Sequence, residues 1–257
     1  MTLNEFIASM YSIAPLELAM SYDNVGLIIG TDRSEIKNVL VALDCTTEVA
    51  REAVRTGADL VLTHHPLFFN GIKRILPNHP DTSAAYILVR NGIGLYSAHT
   101  NLDAAKDGVN DVLCSLLEIE NAVPVPPENI ARVGNLRTEV PLSMLLKRVN
   151  RELYTLSRYT GELTKPIKRV AVMGGSGGGD IQSISALGAD AFITGEIKHS
   201  QAISALALDL PVIVAGHHET EFAVLKPLIK RLQKLTLGVK YNLAVSGATP
   251  LKLSPES

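Results

Sequence analysis

Gly57-Ala58-Asp59-Leu60-Val61-Leu62-Thr63-His64-His65 and Gly188-Ala189-Asp190-Ala191-Phe192-Ile193-Thr194-Gly195-Glu196 are two versions of one phrase. Each follows a shared earlier phrase at the same interval. Ile36-Lys37-Asn38-Val39-Leu40-Val41-Ala42 precedes the first, and Ile167-Lys168-Arg169-Val170-Ala171-Val172-Met173 precedes the second. A constant, ungapped interval marks a duplicated unit. A further pair follows at a slightly different offset: Ser97-Ala98-His99 with Asp103 four residues on, and Ala215-Gly216-His217 with Glu221 four residues on. Each half therefore places metal-binding side-chain types at the ends of two strand-like runs.

Short branched runs predict strands over 38–43, 60–63, 93–97, 169–173, 191–194 and 211–215. Helical patterns fall between them at 47–55, 82–91, 109–117, 180–186, 198–206 and 219–235. Strands alternating with helices of this length imply crossover connections and parallel pairing, with helices covering both faces. The expected fold is α/β: duplicated three-layer α/β/α units with mostly parallel mixed sheets. Val123-Pro124-Val125-Pro126-Pro127 resists regular structure and falls between the repeats, so the boundary is placed there, giving units 1–127 and 128–257. Pro227 is expected to kink or restart the last helix.

With 257 residues and 46% hydrophobic content the chain can bury a substantial core. Its 24 Lys and Arg against 26 Asp and Glu leave a formal charge of −2, with no basic stripe for counterion-driven binding, which argues against nucleic acid as the principal ligand. Cys45 and Cys114 sit far apart in apolar segments and read as buried, reduced thiols. Thr2 and Glu5 have capping-box spacing for a first helix with Leu3, Phe6, Ile7 and Met10 inward. An acid stands where a signal peptide has its basic region, and no run has transmembrane length. The expectation is a cytoplasmic protein that does not enter a membrane.

The ends of the predicted strands carry the chemistry, as they do in α/β folds generally. Adjacent side chains on a strand point to opposite faces, so His64 and His65 can serve one site only where the strand has stopped, and Pro66 stops it. His217 and Glu221 share one face if a helix has begun by His217. Asp103 adds a carboxylate. Imidazole with carboxylate suits Zn, Fe, Mn or Ni, and five such groups exceed what one catalytic ion with an open position needs. Two divalent cations per chain are expected, about 3.5–4 Å apart as in two-metal hydrolases, with Glu221 as the bridging carboxylate. His79 reads as solvated, His199 as pocket-lining or solvent-facing, and His218 as surface or supporting.

Gly174-Gly175-Ser176-Gly177-Gly178-Gly179 follows a strand and precedes a helix. Backbone amides at Gly175, Ser176 and Gly177 are placed to cradle a phosphate or other anion. The loop lacks the Lys-Ser or Lys-Thr ending of a P-loop and matches the dinucleotide fingerprint poorly, which disfavours a nucleotide-dependent oxidoreductase. A tight turn that lets the chain pass close to a neighbour accounts for the same glycines.

At these residues the chain resembles the NIF-three-like dinuclear metal-centre proteins, also called GTP cyclohydrolase 1 type 2 homologues. The similarity runs in order from Asp23-Asn24-Val25-Gly26-Leu27 through Gly57-Ala58-Asp59, His64-His65, His99 to Asp103, the glycine loop and Thr194-Gly195-Glu196 to Ala215-Gly216-His217-His218-Glu219-Thr220-Glu221. It implies metal ligands at His64, His65, Asp103, His217 and Glu221. It also implies a ring-like homohexamer and hydrolysis of a small molecule, a nucleotide such as GTP. The chain differs from the family's common pattern at Tyr22, where many members have Trp, and it lacks the insert domain of longer members. Two functions compete: a metal-dependent hydrolase in which His99 and Glu196 assist, and a non-catalytic metal-binding oligomer acting as adaptor or regulator. Glu196 reads equally as a helix cap.

Overall fold

In the computed structural model, which describes residues 1–247, 249 and 251, the chain packs as two compact units. Met1–Ala105 joins Leu225–Leu251 in the first, and Lys106–Val224 forms the second. The elements run α1 (Leu3–Ile13), β1 (Gly26–Ile29), β2 (Asn38–Ala42), α2 (Thr47–Arg55), β3 (Leu60–Thr63), α3 (Ser83–Arg90), β4 (Gly94–Ser97) and α4 (Thr100–Ala104). The second unit holds α5 (Val109–Leu116), β5 (Ile119–Pro124), β6 (Arg132–Pro141), α6 (Leu142–Glu152), β7 (Arg158–Tyr159), β8 (Pro166–Met173), α7 (Ile181–Ala186), β9 (Ala191–Thr194), α8 (His199–Ala207), β10 (Val212–Val214) and α9 (His217–Phe222). The chain then returns to the first unit with α10 (Leu225–Leu235) and β11 (Lys240–Leu243).

The first sheet has the order β1-β4-β3-β2-β11 and is parallel except where β1 meets β4. Alternate residues of its strands serve opposite faces. Leu40, Ala42, Val61 and Leu95 pack with Val49 and Ala53 of α2 and Ala84 and Leu88 of α3. On the other face Phe6 of α1 meets Tyr96 edge-on, with ring centroids 5.8 Å apart, and α10 packs against β2 and β11. The expected capping box is present at Thr2 and Glu5, and it starts α1 with Phe6, Met10 and Ile13 buried.

The second sheet, β5-β6-β8-β9-β10-β7, is more mixed than the sequence implied. β8-β9 and β9-β10 are parallel, whereas β5-β6, β6-β8 and β10-β7 are antiparallel. Val170, Val172 and Ile193 face α5 and α6, while Ala171 and Phe192 face α7 and α8, so helices cover both sides. Pro124 ends β5, an edge strand, where its missing amide leaves no gap in the ladder. The Pro-rich stretch therefore belongs to a hairpin inside the second unit, and the expected boundary at Pro127 falls within that hairpin's turn. The last six residues of the expected second repeat, 252–257, lie outside the described residues.

The repeated Gly-Ala-Asp has a mechanical explanation. Gly57 and Gly188 adopt φ of 64° and 71°, a left-handed conformation that ends the preceding helix and suits glycine. Asp59 Oδ2 accepts from the amides of Lys37 and Asn38 at 2.8 and 2.9 Å. Asp190 Oδ2 does the same for Lys168 and Arg169 at 2.9 and 2.7 Å. Each aspartate thus ties the start of its own strand to the start of the preceding one and fixes the register of that parallel pair. Cys45 and Cys114 are free and buried, and burial pushes both thiols up to about 12. The continuous helix expected over 219–235 is interrupted: α9 stops at Phe222 and α10 begins at Leu225, so Pro227 sits in a first turn, where its missing amide is tolerated. No helix among the described residues is long and apolar enough to cross a membrane.

Candidate metal centre

In the first unit, β3 ends at Thr63 and the next two amides still bond to the end of β2 and the residue after it, His64 N to Ala42 O at 3.3 Å and His65 N to Leu43 O at 2.9 Å. Thr63 Oγ1 donates back to His65 O at 2.8 Å and closes the turn before Pro66. His64, His65 and His99 are thereby gathered, with one ring nitrogen from each lying within 4.8 Å of those of the other two.

The opposite nitrogen of each ring is tied down. His64 Nδ1 lies 2.8 Å from Ala98 O, His65 Nδ1 lies 2.7 Å from Asp44 Oδ1, and His99 Nδ1 lies 2.9 and 3.0 Å from the two oxygens of Asp23. A carbonyl or carboxylate oxygen only accepts, so Nδ1 carries the hydrogen in all three rings and Nε2 keeps the lone pair. Such an acceptor behind an imidazole fixes the tautomer that binds metal and raises its basicity. Asp103, on α4 and 8% exposed, places Oδ1 3.5 Å from His64 Nε2.

Asp23 anchors this arrangement. Its buried carboxylate also accepts from Thr100 N at 3.0 Å and from Thr100 Oγ1 in a shorter bond. Burial alone would raise its pKa, but the hydrogen bonds from His99 and Thr100 and the nearby imidazole hold it at about 2.

In the second unit, Gly216 at φ 98° turns the chain from β10 into α9. His217 Nε2 lies 3.0 Å from Glu221 Oε2, as their spacing on one helix face requires, and Glu221 is 3% exposed. His217 Nδ1 lies 3.2 Å from Glu196 Oε1, which repeats the pattern of an oxygen behind the imidazole. Glu196 is not a helix cap, because α8 begins at His199 with Lys198 before it.

The glycine loop lies against these residues within the same unit. Gly175 has φ 63°, and a Cβ there would run into the Glu221 carboxylate. The amides of Gly174, Gly175 and Gly177 donate to Asn110 Oδ1, Thr220 Oγ1 and Thr194 Oγ1 at 2.8, 3.1 and 3.0 Å. These bonds give the loop a packing role: it passes under Glu221 with no side chain in the way.

The residue types fit a divalent metal. Neutral imidazoles with defined Nε2 lone pairs and nearby carboxylates are the donors that borderline cations such as Zn, Fe, Mn and Ni take. His79 is exposed and accepts from the Asp81 amide, as expected of a solvated residue. His199 is exposed, and His218 stacks on Phe222 at 4.9 Å. Sequence reasoning passed over Asp44 and the orienting role of Asp23. Asp44 lies just beyond the carboxyl end of β2, the same strand-end position that singled out His64 and His65.

Comparison with known proteins agrees with the fold. The model of the family described as Duf34/NIF3 (NGG1p interacting factor 3) matches residues 1–250. A Clostridium perfringens protein called GTP cyclohydrolase 1 type 2 homolog is 34% identical, over 98% of this chain and 99% of its own. The Schizosaccharomyces pombe protein NIF3 homolog is 32% identical, over 97% and 96%. Among solved structures, reduced HcgD from Methanocaldococcus jannaschii superposes with a TM-score of 0.84 at 31% identity, covering 95% of this chain and 97% of its own. The chain belongs to the Duf34/NIF3 family.

Proposed function

We propose that this protein is a dinuclear metal-dependent hydrolase, that it holds two divalent cations through His64, His65, Asp103, His217 and Glu221, and that its substrate is a purine nucleotide such as GTP. The observation that carries the reading is the common orientation of His64, His65 and His99, each with an oxygen on Nδ1 and its Nε2 lone pair left for a metal, beside His217, which faces carboxylates at both ring nitrogens. Structural histidines have no need of one common tautomer. A pair of divalent cations would supply a nucleophile at neutral pH by lowering the pKa of water, and would stabilise developing negative charge. His99, turned by Asp23 so that its Nε2 lone pair is offered, is the residue assigned to take a proton from water or substrate. Glu196, whose Oε1 lies 3.2 Å from His217 Nδ1, is assigned to orient that ring and to exchange a proton with it.

The reading includes assembly as a homohexamer in the cytoplasm, which the name of the family's relatives leaves open and which light scattering and fractionation would check. The decisive experiment is elemental analysis of protein purified without chelator, followed by assays of formate and phosphate release from GTP under Zn, Mn, Fe and Mg, with Glu221→Gln as the blank. Two metals per chain and chelator-sensitive formate release support the assignment. Phosphate without formate redirects it to phosphoester or phosphoanhydride hydrolysis. Metal binding with no turnover leaves the adaptor or regulator role.

A further inference from the structure

Between Pro66 and Thr82 the first unit has no helix or strand, although this segment starts one residue after the His64-His65 pair. Irregular stretches of this length inside a compact unit are commonly binding loops. Phe69 of this loop meets the ring of His99 edge-on, with centroids 5.6 Å apart and planes at 85°. The ring of Phe69 is also nearly parallel to Tyr22, at 6.3 Å and 26°. Both rings are displayed to solvent, Phe69 49% and Tyr22 62% exposed. Asn24 Nδ2 donates to Phe68 O at 2.6 Å and fastens the loop beside Asp23, the residue that orients His99.

Two open cavities border the loop and share Ile72. The one beside Phe69, about 470 Å³, is walled by Asn24, Leu27, Phe68 and Asn70 among others. The other, about 370 Å³, is lined by Lys73, Arg74 and His79, with Asp81 the acid among its lining residues. In a chain of net charge −2, this is a local concentration of cations a short distance along the loop from an exposed aromatic pair.

We propose that this loop is the recognition element for the substrate of the imidazole cluster, taking a planar heteroaromatic ring on the Tyr22 and Phe69 platform and an anionic tail such as a phosphate at Lys73 and Arg74. Aromatic faces hold any planar base by stacking, and Arg and Lys recognise phosphate through charge-assisted hydrogen bonds. Because Phe69 abuts His99, a ring held there lies beside the imidazoles rather than on a remote surface. The proposal rests on the hydrolase reading for the claim that the bound molecule is a substrate, whereas recognition itself is tested by binding alone.

Calorimetric titration of the full chain with guanosine 5′-monophosphate, guanosine and ribose 5-phosphate separates the two subsites. Phe69→Leu and Tyr22→Leu should each weaken the monophosphate and guanosine by about fivefold or more and leave ribose 5-phosphate unchanged. Phe69→Tyr, which keeps the ring, should bind as the parent does. The double variant Lys73→Ala, Arg74→Ala should weaken both phosphate ligands by about tenfold and leave guanosine unchanged. Tyr154→Leu, at an exposed ring of the second unit, is the control, and metal content and melting temperature are measured for every variant. The proposal is overturned if the parent binds none of the three at millimolar concentration, if the aromatic variants bind guanosine as the parent does, or if the double variant binds ribose 5-phosphate undiminished. Binding through the loop with no turnover under any metal would retain the recognition element and remove the hydrolase reading.

Discussion

His65 Nδ1 lies 2.7 Å from Asp44 Oδ1, so a carboxylate just past the end of one strand sets the direction of an imidazole just past the end of the next. Asp44 is about half exposed, and losing its side chain costs the unit little packing. Asp44→Ala should therefore lower metal affinity by about 10–100-fold while the melting temperature of the metal-free protein stays close to that of the parent. Competition with a metallochromic chelator measures this, and unchanged affinity would remove Asp44 from the site.

Glu221→Gln should strip more metal than Asp103→Asn, because a bridging carboxylate serves both ions and a terminal one serves a single ion. Metal per chain after gel filtration is the readout. Equal losses would argue against the bridge. His79→Ala, at an exposed loop position, should leave metal content unchanged and controls for nonspecific damage.

His99→Ala is expected to keep both metals and to reduce turnover, if its role is the proposed one of acting on water or substrate. Asp23→Asn should reduce turnover as well by loosening the ring that Asp23 grips with two oxygens. If His99→Ala loses an ion, His99 is itself a ligand, a result compatible with its ring nitrogen lying within 4.8 Å of those of His64 and His65.

Gly175→Ala tests the packing role of the glycine loop. The new methyl would meet the Glu221 carboxylate at a backbone φ of 63°, so the variant should lose about 1–3 kcal/mol of stability and bind metal more weakly. Denaturant melts and metal titration report the two effects. Gly179→Ala, where a Cβ meets nothing within 4 Å, should change neither.

Glu52 provides a pH test away from the metal residues. It is buried, and its two oxygens accept from the amides of Val245 and Ser246 at 3.0 and 2.8 Å. Burial acts to raise its pKa, but those amides, with help from Ser246 and Arg55, outweigh it and lower the value. A depressed folded-state pKa means the stabilisation is complete above the ordinary glutamate value of about 4.3 and is lost as pH falls through the lower, folded value. Glu52→Gln should therefore destabilise the protein at pH 7, with the difference from the parent shrinking as the pH drops below about 4. A pH-independent difference in denaturant midpoints would contradict this.

Much of the site was legible because its residues lie at strand ends announced by local sequence: Gly57 and Gly188 end helices, Asp59 and Asp190 pin strand starts, and Pro66 ends the run that carries His64 and His65. β6 was missed for the opposite reason. Gly134, Asn135, Thr138 and Glu139 interrupt its apolar pattern, and its length is set by antiparallel pairing with β8 rather than by propensity. The return of α10 and β11 to the first unit was also invisible, because which sheet edge a terminal strand joins is a tertiary choice that short-range periodicity does not encode. The oxygens of Asp23 and Asp44 found their imidazoles through the same long-range assembly.

That return has a consequence for biosynthesis. β11 pairs with β2, and Asn242 Nδ2 donates to Asn38 Oδ1 at 2.8 Å across 204 positions of sequence. While the ribosome is still making the second unit, the nascent first unit shows an unfilled edge at β2, and the second unit can close first even though its residues emerge later. Translation order and folding order are thus uncoupled. A release of the chain before β11 is made would leave that edge unpaired, a row of open backbone groups onto which another strand can add.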